Sequence, residues 1–136
     1  MTVRGSNPCT VAEPIGPFRH VTIVPGNTEI AFVSGQIGHD ADGHLVSGGC
    51  GEQTLQAFKN LELILEDLGA TPDDVVKLFT IVAGDGSFSE FSRKRTEIFS
   101  RWYPDGEYPA HSAFAAYQLA TPEILVEIEA VVAVPK

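Results

Sequence analysis

The stretch 52–83, "EQTLQAFKNLELILEDLGATPDDVVKLFTIVA", decides the fold, because its hydrophobic period changes midway. Leu55, Phe58, Leu61, Leu65 and Leu68 recur at spacings of three and four, which predicts one apolar stripe on a helix from Glu52 to Leu68. Glu62, Glu66 and Asp67 lie off that stripe and are expected to face water. Gly69 stands where a left-handed C-terminal cap belongs. "TPDD", 71–74, supplies a cap residue, a proline for a first turn and acids suited to the positive end of a helix dipole. The β-branched run "VVKLFTIVA", 75–83, then reads as a strand.

Outward from this unit, "HVTIV" (20–24) and "EIAFVSGQ" (29–36) read as strands flanking the turn cluster "PGNT", which predicts a hairpin. The loop 39–49 carries an Asp-Gly turn signal at Asp42-Gly43. Ser87 and Glu90 have the capping-box spacing and predict a second helix from Phe88 to Tyr103, with Phe88, Phe91, Ile98, Phe99 and Trp102 inward. Ser112–Leu119 and Leu125–Val134 complete the strands, joined by "ATPE". Two helices with one apolar stripe each cover only one face of such a sheet. The other face, with "EILVEIEAVVAV", is too apolar for water, so an oligomer is expected.

The 136 residues fit one domain spanning 1–136, long enough to bury about two thirds of its unfolded surface. A net charge of −9 argues against nucleic acid, which needs clustered cations. Arg93, Lys94, Arg95 and Arg101 sit beside Glu90 and Glu97 and read as a solvated helix face. No segment reaches the roughly 20 apolar residues of a membrane helix, and the N-terminal stretch lacks a signal-peptide core, so a cytoplasmic protein is expected. Cys9 and Cys50 belong to no metal-ligand cluster. His20, His39 and His44 are assigned no role.

Five segments taken together carry a resemblance: "IGPF" (15–18), "VSGQIG" (33–38), "QTLQAFKNLELILEDLGA" (53–70), "YPAHSAF" (108–114) and "VEIEAVVAV" (126–134). In this order they resemble the RidA/YjgF family, the reactive-intermediate deaminases also described as L-PSP endoribonucleases. The resemblance implies a chorismate-mutase-like α+β fold, a mixed sheet with two helices on one face, and a homotrimer with a central barrel. It further implies clefts between subunits that hydrolyse small enamines or imines without metal or organic cofactor. In the family an arginine in Pro-Ala-Arg-Ser grips the substrate carboxylate, and a glutamate in the last strand positions or activates water.

Carried over residue by residue, the match is partial. Glu127 keeps the glutamate, and Ser34 and Gly35 of "SGQ" are kept. His111 stands at the arginine, Phe18 at a cleft tyrosine and Ala113 at a cleft cysteine; Ser92 aligns with a cleft asparagine. Phe114 adjoins them as a further candidate contact. Histidine cannot reproduce a permanent charge with a planar two-pronged fork, and the change should cost about 2–5 kcal/mol of anion binding. Efficient deamination of small 2-imino acids is therefore not expected, and Phe18, Ala113 and Phe114 suit a larger or more apolar ligand. Partial burial would bring the Glu127 carboxyl nearer the range useful for proton transfer.

The resulting expectation is an enzyme with Glu127 as general acid/base and His111 as orienting donor or second acid/base, acting on a small imine, enamine or related carbonyl compound. Arg19, beside Phe18, is a weaker candidate for a substitute cation. A non-hydrolytic isomerase or cyclase, or a metabolite-binding trimer without turnover, are the alternatives. Ribonuclease activity finds no physical support in so acidic a chain.

Overall fold

The computed structural model describes residues 3–136. Its strands are β1 (Arg4–Ser6), β2 (Val21–Ile23), β3 (Glu29–Gln36), β4 (Val75–Ala83), β5 (Ala110–Ala116) and β6 (Val126–Val134), with helices α1 (Cys50–Asp67) and α2 (Ser87–Trp102). The main sheet runs β3-β6-β4-β5. Its first two pairings are antiparallel, and β4-β5 is parallel. A parallel pair needs a crossover, and α2 supplies it. Both helices lie on one face, as expected.

That face holds the core. Phe58, Leu61 and Leu65 of α1 and Phe91, Phe99 and Trp102 of α2 are buried against Leu78, Val82, Val126, Ile128 and Val132. Phe58 meets Trp102 edge to face at 5.2 Å between ring centres. The α1 terminus closes as predicted. Gly69 (φ 68°) turns the chain, its N–H bonding to Glu66 and that of Ala70 to Leu65 at 2.8 Å. Thr71 and Asp74 form a reciprocal capping box on the single turn Pro72–Asp74. Gln53 fastens the loop before β6 to α1, donating to the Glu123 carbonyl and accepting from the Leu125 N–H.

Several expectations need correction. β2 pairs with β1, not with β3, so the 20–24/29–36 hairpin does not form. Ser87 is not the cap of α2. Gly86 (φ 76°) occupies that place, and Ser87 is buried one residue inside the helix. Phe88, expected inward, is 44 % exposed, with its ring edge to face against Phe91. Glu62 does not simply face water; its carboxylate accepts from Trp102 Nε1 at 3.0 Å and Arg101 at 2.8 Å.

β5 begins at Ala110, so His111 lies within the strand rather than ahead of it. Opposite the helices, the sheet is open. Phe32 is 81 % exposed there, and Phe79 and Phe114 pack against each other beside Ile81.

Candidate functional site

Strand register decides which candidate side chains can meet. Residues directly paired across a sheet share a face. His111 pairs with Leu78, and Leu78 with Ala130, both core residues under the helices. Glu127 pairs with Ile81, and Ile81 with Phe114, on the open face. One protomer therefore keeps the imidazole and the carboxylate on opposite sides of its sheet.

On the open side the geometry centres on a β-bulge. The β3-β6 register slips by one residue between Val33↔Ala130 and Gln36↔Ile128, which places Ser34 and Gly35 on the bulge. A Cβ added at Gly35 would come within 2.5 Å of the Glu127 Cδ. Glycine is thus required so that the carboxylate can lie flat on the β3 backbone. Ser34, Gly35, Glu127 and Phe114 accordingly belong to one surface, part polar and part apolar.

On the helix side, His111 is only 9 % exposed. Its Nε2 lies 2.9 Å from Thr80 Oγ1, and its ring touches Phe91 and Phe99. Burial, reinforced by the charge of Arg95, pulls the imidazole down to about 3 from its ordinary 6.5. At neutral pH the ring is uncharged, so it cannot replace the family's permanent cation and is a poor proton donor. Ala113 is half-buried on this same side, paired with Thr80. Ser92 is near as well. Its Oγ accepts from Arg95 Nη2 at 3.1 Å.

Arg95 is the residue that the sequence reading passed over. Its guanidinium lies over the Phe91 ring at 5.1 Å, half-buried, instead of standing on a solvated face. The signal was available: position 95 is four residues from both Phe91 and Phe99, squarely on the buried stripe of α2.

Phe18 and Arg19 belong to the arm that leads into β2. The Arg19 N–H bonds to the Pro109 carbonyl at 3.2 Å, two residues before His111. The Arg19 guanidinium pairs with Glu107 of its own chain. Phe18 lines a shallow recess with Gly106 and Tyr108, near the start of β5. The cluster Asp40, Asp42 and His44 lies in the predicted Asp-Gly turn, where Asp40 accepts from the Asp42 and His44 N–H groups. That turn geometry accounts for it.

The order of the mixed sheet, helices on one face only, and a strand carboxylate seated on a glycine bulge define an α+β class whose open, largely apolar side carries one carboxylate. The chain belongs to the family described as Endoribonuclease L-PSP, the RidA/YjgF family, whose model matches residues 10–134. It is 37% identical over 120 residues to the human 2-iminobutanoate/2-iminopropanoate deaminase, covering 86% of this chain and 80% of that protein. It is 34% identical to a RutC family protein of Pyrococcus abyssi, with 88% and 87% covered. Among solved structures, a Yersinia pestis protein of the conserved Rid family, YyfB, superposes with a TM-score of 0.82 at 33% identity, over 98% and 99% of the two chains. Among the described residues no helix is long and apolar enough to cross a membrane.

Proposed function

We propose that the protein is a homotrimeric enzyme hydrolysing small imines, including enamines after tautomerisation, at sites shared between neighbouring subunits. The carrying observation is the Glu127 carboxylate seated against Gly35, beside Ser34, on an open and largely apolar face. Two features support sharing. The open face leaves Phe32 and Phe114 in water unless another subunit covers them. Register also puts Glu127 and the His111 group on opposite sides of one sheet, so one site using both takes them from different copies.

In the reaction, Glu127 accepts a proton from water as the oxygen adds to the imine carbon. Glu127 then hands that proton to the imine nitrogen, giving the neutral carbinolamine. The carbinolamine collapses as Glu127 takes the hydroxyl proton and delivers it to the nitrogen: the C–N bond breaks, ammonia departs, and the carbonyl forms. The balance is imine plus water to carbonyl compound plus ammonia, with no redox partner. His111, uncharged, orients the substrate and does not exchange protons. Ser34, Gly35, Ser92, Phe18, Ala113 and Phe114 form the surrounding contacts.

The test is ammonia release by purified protein from imines generated in place, 2-iminobutanoate first and then larger, more apolar members. Acceleration of at least one supports the proposal; none across the series contradicts it. A second reading, a metabolite-binding trimer without turnover, draws on the neutral His111 in place of a cation. Saturable ligand binding without ammonia would favour it.

A further inference from the structure

Among the described residues, two buried side-chain polar atoms have no hydrogen-bond partner: Arg95 Nε and His111 Nδ1. Buried polar groups are otherwise nearly always paired, so two orphans in one place ask for an explanation. They are neighbours. Phe91 lies beneath the Arg95 guanidinium at 5.1 Å and meets the His111 ring at 6.2 Å between ring centres.

The ion pairs of the described residues use Arg19, Lys94 and Arg101, each with a glutamate. Arg95 has none. Its protein partner is the Ser92 hydroxyl, a neutral group. A half-buried guanidinium over an aromatic face, with no carboxylate from its own chain, is a charge held ready for an anion. His111 adds to this. Nε2 is engaged by the Thr80 hydroxyl at 2.9 Å, and in the tautomer that carries its proton on Nδ1 the ring offers a second donor there. β5 is also the edge strand of the sheet, with β4 on one side and, among the described residues, no further strand of that sheet on the other.

We infer that Arg95, with Ser92 and His111, forms the binding site for a carboxylate carried by the substrate, the cation having moved from β5 to α2. This rests on the reading of the protein as an imine-converting enzyme and narrows its substrate class to imino acids. It reverses the expectation, drawn from His111 alone, that such substrates would be poorly held.

The probe is 2-oxobutanoate, a stable 2-keto acid, compared with its neutral amide by calorimetric titration of the intact protein. Arg95→Gln should weaken the acid roughly 10- to 100-fold, the loss expected for one charge-assisted hydrogen-bonding group. It should leave the amide unchanged, and Arg95→Lys should recover part of the loss. In the unaltered protein, 2-oxobutanoate should shield Arg95 from phenylglyoxal, read by peptide mass spectrometry, which needs no variant to fold. Equal binding of acid and amide by the unaltered protein, an unaffected Arg95→Gln, or unshielded Arg95 would each overturn the inference. Ammonia release that proceeds unchanged in Arg95→Gln overturns it while leaving the enzyme reading intact. Arg95-dependent acid binding without ammonia release from any imine upholds it and defeats that reading.

Discussion

Acidifying the protein should withdraw stability through one ring. His111 titrates near 3 in the fold, against an ordinary value of 6.5, because it is buried beneath α2 beside the Arg95 charge. Between those values the unfolded chain holds a proton that the folded chain refuses, so stability falls as pH falls. The contribution is fully present above 6.5, declines by about 1.4 kcal/mol per pH unit below it, and levels off near 3. At about pH 5 the loss is on the order of 2 kcal/mol, a sizeable part of the roughly 5–15 kcal/mol that a domain has. Many carboxylates also titrate in this range, so the measurement is a difference. Urea unfolding at fixed protein concentration, at about pH 7.5, 6 and 5, is compared for the unaltered protein and His111→Asn, which cannot titrate. The unaltered protein should lose about 2 kcal/mol more than the variant between the extremes. Parallel pH profiles would refute the reasoning, since they would mean that the ring can charge in place despite its burial and the Arg95 charge.

Two further outcomes follow from the open face. Gly35→Ala places a methyl group where the Glu127 carboxylate lies. The flexible carboxylate can swing aside, so the melting temperature should move little while ammonia release falls at least about 10-fold; unchanged activity would detach the bulge from the chemistry. Phe32→Glu puts a charge on the most exposed large apolar side chain of β3. Sedimentation should find the unaltered protein at about 44 kDa, three times the 14.6 kDa chain, and the variant shifted toward single chains. An unaltered protein sedimenting as one chain would contradict the assembly.

What the sequence disclosed and what it hid divides along physical lines. The apolar stripe of α1 and the β-branched run of β4 were legible, because local periodicity carries them and tertiary context agrees. The partner of β2 was not. "RGS" at 4–6 has no hydrophobic pattern, and its pairing is set by backbone hydrogen bonds with a segment well over ten residues away. The capping signature at Ser87 misled because Gly86 reaches the positive φ of the turn and lets the helix start a residue earlier. At the site, residue identities were readable by resemblance, and faces were not. Parity along β5 groups His111 with Ala113, but only the register with β4 and β6 shows that Glu127 points the other way. Arg95 was hidden by its company: flanked by Arg93 and Lys94 it reads as surface charge, although its position on the stripe marks it as partly buried.

The most direct measurement is the rate of ammonia release from 2-iminobutanoate, or from the best imine of the series, by Glu127→Gln beside the unaltered protein. Glutamine keeps the shape of the side chain on Gly35 and removes its ability to take a proton. The rate should fall about 100-fold or more, the scale of a lost general base, with folding and assembly preserved. A rate equal to that of the unaltered protein would contradict this role for Glu127.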